Sequence, residues 1–258
     1  MIIQNSYKKL EKITWAEAPC VITGAGPSLF NYDISEYSSC HFISVNSSIL
    51  KYNWQAEGSD NYLRAWVSND SLCRKWSYYE KVLSDKCEKI VRDSWIKYEK
   101  ELINFLYFSP RKTKEDIILA DDDGLAYNSS VPTSIDLAIK LGFKTIYLLG
   151  IDHKSIKNKT HFWQFLPISE QPKEKIINND KSIFIPPARI MQPENLQKNA
   201  WNTNIKVFES LNNLAKLKNV NIYTVENFGD SLPFVNLKFN NSGLSNYGIK
   251  FMPILKNS

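Results

Sequence analysis

The residues that chemistry would use first are the histidines His153 and His161, the carboxylates near them, and a glycine turn close to the N-terminus. His153 stands in the run Gly150-Ile151-Asp152-His153. An imidazole with an ordinary pKa near about 6.5 can take a proton from a hydroxyl near neutral pH. His161, beside Phe162 and Trp163, is the second candidate base, and each histidine reads equally well as a structural or surface side chain. Asp121-Asp122-Asp123 offers oxygen ligands for a divalent ion such as Mg²⁺ or Mn²⁺, as does Asp70. The same residues also read as a solvated acidic turn and a helix cap. Arg189, in Pro186-Pro187-Ala188-Arg189, is the candidate cation for a leaving phosphate.

Gly24-Ala25-Gly26-Pro27-Ser28-Leu29 suggests a phosphate or nucleotide site. The glycines permit a sharp turn and a close approach to a ligand. Pro27 suits the first position of a helix, and Ser28 adds a hydroxyl to the N–H groups of a helix start, which bind anions. An ordinary βα turn fits these residues as well. They match neither the G-x-G-x-x-G fingerprint nor a P-loop, since no Lys-Ser/Thr follows.

Regular elements must carry these groups. Residues 1–18 read as a helical lead-in with Tyr7, Leu10 and Ile13 at helical spacing. Short apolar, β-branched runs predict strands over 20–23, 41–45, 63–67, 87–91, 145–149 and 221–225. The second strand ends at Asn46-Ser47-Ser48, the third at Ser68-Asn69-Asp70, and that over 145–149 at Gly150-Ile151-Asp152-His153. Polar clusters at successive strand ends favour one shared crevice at the carboxyl edge of an open sheet. Ser71 is placed to cap a helix to Leu83 with Leu72, Trp76, Tyr79 and Leu83 inward, and the aromatic stretch 95–108 fits strand and helix alike. Ser129, Ser130 and Pro132 mark the start of a helix that runs to Leu141, with Gly142 closing it. A second long helix spans 195–218 with Trp201, Ile205, Phe208, Leu211 and Ala215 inward. Residues 154–193 read as a long inserted lid, and the tail from 235 to 258 as a surface wrap or docking segment. The expected architecture is a single α/β domain over 1–258. It is Rossmann-like and doubly wound, with a mostly parallel sheet, helices on both faces and the inserted lid.

Composition narrows the function. With 258 residues, 43% apolar and 23% charged, the chain can bury a large core. No apolar run approaches the roughly 20 residues of a membrane helix, and the first residues lack a signal-peptide layout, so a cytoplasmic protein is expected. Cys20, Cys40, Cys73 and Cys87 show no C-x-x-C spacing and read as core thiols. A net charge of +5 suits an anionic small ligand and does not by itself indicate a nucleic-acid surface.

Val21 through Leu29, together with Ser129-Ser130 through Gly150-Ile151-Asp152, resembles the 6-hydroxymethylpterin diphosphokinase MptE-like family. The same residues are similar to the bacterial Cst-type sialyltransferases. The extension Asp152-His153 with His161-Phe162 looks more like MptE-like proteins found among surface-polysaccharide genes. The resemblance implies nucleotide contacts from Gly24, Ala25, Gly26, Ser28, Asn46, Asn69, Ser129, Ser130, Gly150 and Asp152. It further implies transfer of a sugar from a nucleotide-sugar donor to a hydroxyl acceptor, whether glycan, protein or modified nucleic acid. Ala25 replaces the Asn of the sialyltransferase loop, and Gln197, Asn199 and Asn202 stand where that group has its catalytic His. Those departures turn the expectation from sialic acid toward another nucleotide sugar. An ATP-dependent diphosphokinase acting on a pterin-like alcohol and a non-catalytic nucleotide-binding adaptor are the alternatives. A homo-oligomer is compatible with the sequence.

Overall fold

Strands buried on both faces organise the protein. The computed structural model describes residues 6–34, 39–54, 61–101, 104–110, 124–126, 129–178, 181–185, 194–227 and 232–253. A 3₁₀ helix, Tyr7–Lys12, leads into β1 (Cys20–Thr23), the 3₁₀ turn Pro27–Asn31 and β2 (Tyr32–Asp33). β3 (His41–Val45), a 3₁₀ helix Asn46–Lys51, β4 (Arg64–Ser68), a 3₁₀ helix Ser71–Lys75 and α1 (Tyr78–Ser84) follow. Then come β5 (Glu88–Arg92), a helical stretch Asp93–Glu101 broken at Tyr98, β6 (Phe105–Phe108), α2 (Ser130–Lys140) and β7 (Thr145–Leu149). The 3₁₀ turns Phe162–Phe165 and Ile168–Glu170 precede β8 (Glu174–Asn178), β9 (Lys181–Ile185) and α3 (Glu194–Leu217). β10 (Asn221–Val225), β11 (Val235–Leu237), α4 (Phe239–Ser242), the 3₁₀ turn Leu244–Tyr247 and β12 (Lys250–Phe251) complete the order.

Eight strands form one sheet in the order β11-β10-β7-β1-β3-β4-β5-β6, and every neighbouring pair is parallel. The chain winds outward from β1 through β3 to β6, then returns to lay β7 on the other side of β1. The order therefore reverses between β1 and β7, where open α/β sheets bind ligands at their carboxyl edge. Thr23 pairs with Ser44 on one side and Leu149 on the other, so β7, β1 and β3 end side by side.

Alternate residues of each strand enter opposite cores. Ile22, Ile43, Ala65 and Leu148 pack under α2 and α3, against Ile135, Leu137, Phe208 and Leu211. Val21, Phe42, Trp66 and Leu149 face a second, aromatic core containing Tyr52, Trp95, Phe162 and Phe239. Each large buried side chain contributes roughly 1.5–3 kcal/mol by leaving water. The fold is thus α/β and Rossmann-like, with helices on both faces of a parallel sheet. One face carries long α-helices, and the other mainly short 3₁₀ segments and α1.

Several elements differ from the sequence expectation. Ile13 is 40% exposed because the lead-in helix stops at Lys12. Leu72 and Leu83 are 55% and 45% exposed. Asp70, not Ser71, caps the first segment there, and the chain passes from 3₁₀ to α geometry at Trp76-Ser77, so one helical phase does not run through both. Over 154–193, the described part holds two 3₁₀ turns and the antiparallel hairpin of β8 and β9, regular structure that the sequence did not signal. The tail begins with a strand, since β11 adds a parallel edge beyond β10. The tail returns to the body: α4 packs on the aromatic core, and β12 pairs antiparallel with β2. Phe208, Leu211 and Ala215 of α3 are buried, Ile205 is half-buried, and the Trp201 side chain lies outside the described residues.

Candidate functional site

The glycines of the two central turns fit each other. Gly24 N–H donates to Leu149 O at 2.8 Å, and Gly26 N–H to Gly150 O at 2.7 Å. A Cβ on Gly24 or on Gly26 would stand 2.5 Å from Gly150 O, and on Gly26 also 2.6 Å from Asp152 Oδ2. Gly150 has φ +66°, and a Cβ there would meet Leu29 Cβ at 2.6 Å. The turn after β1 and the turn after β7 are therefore pressed together to a distance only glycine allows.

Asp152 locks this contact. One carboxylate oxygen, Oδ2, accepts the Ser28 N–H at 2.8 Å, at the start of the Pro27–Asn31 turn. The Ser28 hydroxyl stands beside the same carboxyl but outside hydrogen-bond geometry, and Oδ1 is buried with no hydrogen-bond partner. Burial pushes the Asp152 carboxyl up to about 6, while the Ser28 hydroxyl and amide and the Lys154 charge pull it down. The geometry corrects the expected phosphate cradle. The N–H groups of Gly24, Gly26 and Ser28 already donate to protein oxygens, and a carboxylate occupies the helix start.

A cavity of about 480 Å³ opens above these turns. Its floor is Gly24, Ala25, Gly26 and Pro27 with Gly150, Ile151, Asp152 and His153. Asn46 and Ser47 from the end of β3, Asp70 after β4, and Ser129 before α2 form one side. Trp76, Tyr78, His161 and Trp163 form an aromatic wall, and Lys154, Thr160 and Asn204 contribute polar groups.

Of the residues expected at the site, Gly24, Ala25, Gly26, Asn46, Ser129, Gly150, Asp152, His153, His161 and Asp70 share this one cavity. Ser28, Asn69 and Ser130 stand behind its walls. Ser28 is 1% exposed. Asn69 Nδ2 donates to Thr133 Oγ1 at 2.8 Å, and Asn69 N–H to Ser130 Oγ at 2.9 Å. These bonds staple the end of β4 to the first turn of α2. Arg189, Asp121, Asp122 and Asp123 lie outside the described residues. Asp70 accepts the Leu72 N–H at 2.8 Å as a helix cap, and no group of three or more metal-ligating side chains gathers among the described residues.

Both histidines are more buried than free imidazoles. His153 has a left-handed backbone (φ 49°) and packs on Phe208 with ring centroids 5.3 Å apart. His161 packs on Trp163 at 5.1 Å, and its Nδ1 shares a 3.0 Å hydrogen bond with Thr160 Oγ1. Burial holds each ring near about 4, well below an ordinary imidazole, so each is neutral at pH 7. That replaces the ordinary imidazole pKa assumed from the sequence. All four cysteines are free thiols, and burial pushes Cys73, in the cavity wall, up to about 12.

Sequence reasoning missed Trp76, Tyr78, Trp163, Lys154 and Asn204 as lining residues. Trp76, just past the Ser71–Lys75 helix, and Trp163, in the Phe162–Phe165 turn, have rings 6.1 Å apart although they are distant in sequence. Their only advance signal was aromatic richness, which a buried core produces equally well.

Fold and site together define an open, parallel α/β protein with a polar and aromatic crevice at its topological switch point. No family model matches the sequence, and no curated protein matches it significantly. Among solved structures, the chain is similar to the sialyltransferase CstII from Campylobacter jejuni in complex with a substrate analogue, cytidine-5'-monophosphate. The identity is 17% and the TM-score 0.41, over 92% of this chain and 90% of that one. Among the described residues, no helix is long and apolar enough to cross a membrane.

Proposed function

We propose that this protein is a transferase that moves a sugar from a nucleotide-sugar donor in the crevice to a hydroxyl acceptor. The observation that carries the reading is the 480 Å³ cavity at the reversal point of the sheet, which gathers Asn46, Asp152 and His153 at strand ends with Ser129 at the start of α2. The motif resemblance of the sequence points to the same residues. In this reading the nucleotide lies over the Gly24–Pro27 and Gly150–His153 turns, with Asn46 and Ser129 as its polar contacts.

Attack of the acceptor oxygen on the anomeric carbon breaks the bond to the nucleotide phosphate, so the site must remove a proton and receive negative charge. His153, neutral at pH 7, takes the proton, with His161 as the second candidate base. Its depressed basicity lowers the driving force but keeps the base form populated down to about pH 4. Lys154, a cation in the cavity wall, would in this reading receive the charge of the departing phosphate.

Thermal-shift and calorimetric titration with CMP-, UDP- and GDP-sugars and ATP tests the reading. Stabilisation by at least one sugar nucleotide is expected. Stabilisation by ATP alone would favour a diphosphokinase, and binding of a sugar nucleotide without turnover on any hydroxyl acceptor would favour an adaptor.

A further inference from the structure

Asn46 is held in an unusual way for a residue on a cavity wall. Its backbone is left-handed (φ 52°), a conformation asparagine tolerates better than most side chains. The buried Trp66 indole N–H donates to Asn46 O at 2.9 Å. Just before it, Val45 N–H donates to Ser48 Oγ at 2.8 Å, and Ser48 Oγ donates to Thr23 O at 2.8 Å. The backbone of Asn46 is thus fixed by β1 and β4 together.

The side chain is fixed by proton counting. A serine hydroxyl has one proton and two lone pairs. Ser130 Oγ accepts the Asn69 N–H at 2.9 Å and donates its proton to Asn46 Oδ1 at 3.3 Å. The amide N–H of Asn69 cannot act as an acceptor, so Ser130 has no alternative arrangement on that side. With the Asn46 NH₂ turned to it instead, Ser130 Oγ would accept twice and its buried proton would have no acceptor among the described residues. With Asn46 Oδ1 turned to it the proton is used, and the Asn46 NH₂ is left with no hydrogen-bond partner among the described residues. Ser130 itself is 5% exposed and is not part of the cavity wall.

We propose that Ser130 is a positioning residue that sets the polarity of the Asn46 amide, so that the crevice reads a hydrogen-bond acceptor on its ligand at Asn46. The matching group is a carbonyl oxygen, a ring nitrogen or a phosphate oxygen. A hydroxyl used only as a donor does not match. The ligand half of this inference rests on the nucleotide reading above, whereas the amide polarity belongs to the free protein.

The test has two arms. In the ligand-free protein, the Asn46 side-chain NH₂ signals in ¹⁵N NMR are assigned by their loss in Asn46→Asp. In Ser130→Ala these signals are expected to shift and gain fast motion, and in Ser130→Thr, which keeps the hydroxyl, to return toward wild type. Unchanged Asn46 signals in Ser130→Ala, with the melting temperature preserved, would overturn the proposal. In the second arm, CMP and UMP are titrated into the wild type, Ser130→Ala, Asn46→Asp and the double variant. An affinity loss of about tenfold in each single variant, with no further loss in the double, is the expected coupling. Additive losses would overturn it. Failure of the wild type to bind any nucleotide strikes at the nucleotide reading, and the NMR arm still decides the amide polarity.

Discussion

Replacing Gly26 by Ala tests whether the floor of the crevice is built by contact between its two turns. The added methyl would lie 2.5 Å from Gly150 O and 2.6 Å from Asp152 Oδ2. Both atoms are held, the first by the Gly26 N–H at 2.7 Å and the second by the Ser28 N–H at 2.8 Å. Neither can yield without opening a hydrogen bond. Overpacking of this kind costs about 1–3 kcal/mol, and weakening one bond to a buried carboxylate adds about 1 kcal/mol. At roughly 2–4 °C per kcal/mol for a chain of this size, the melting temperature should fall by about 4–16 °C. Gly142→Ala is the control: its Cβ meets nothing within 4 Å, and only its φ of +84° penalises the change, by about 1–2 kcal/mol. Differential scanning calorimetry of the two variants decides the matter. If Gly26→Ala melts within a degree of wild type, the packed-turn explanation of the glycines is wrong.

Two further predictions concern the histidines. His41 is fully buried, accepts the Leu63 N–H at Nδ1 (2.9 Å) and bonds Ala16 O through Nε2 (2.9 Å), and burial lowers it to about 4. Because the unfolded chain takes up this proton near about pH 6.5, stability is complete above that pH and is lost as pH falls toward about 4. The loss from this group is on the order of 3 kcal/mol, and urea denaturation at stepped pH should show it, with a flatter slope in His41→Asn. His153→Ala should lower kcat by about 10²–10⁴ with donor affinity little changed, measured with whichever sugar nucleotide binds; unchanged turnover would move the base elsewhere.

Much of the sheet was readable because its strands are buried on both faces and therefore appear as continuous apolar runs. Cys20–Thr23, His41–Val45, Thr145–Leu149 and Asn221–Val225 match their expected bounds. Val235–Leu237 escaped because three residues with two exposed side chains carry no such run. The stretch after Asp93 could not be resolved, since Trp95 on a 3₁₀ segment and Phe105 on β6 enter the same aromatic core. At the site, the strand-end rule located Asn46, Asp152 and His153, because a parallel sheet sends its carboxyl ends to one edge. What sequence could not supply was the third dimension of the turns. Gly24 and Gly26 were legible as a tight place, but the neighbour demanding glycine is Gly150 rather than a phosphate. Likewise, Ser130 and Ser129 are adjacent in sequence, yet only Ser129 lines the cavity.

A crystal structure of the protein with whichever nucleotide of the titration panel binds tests the central claim most directly. Nucleotide density is predicted over the Gly24–Pro27 and Gly150–His153 turns, with an acceptor atom of the ligand within hydrogen-bond distance of Asn46 Nδ2. Density for the nucleotide anywhere else, with the crevice between β1 and β7 left empty, would contradict it.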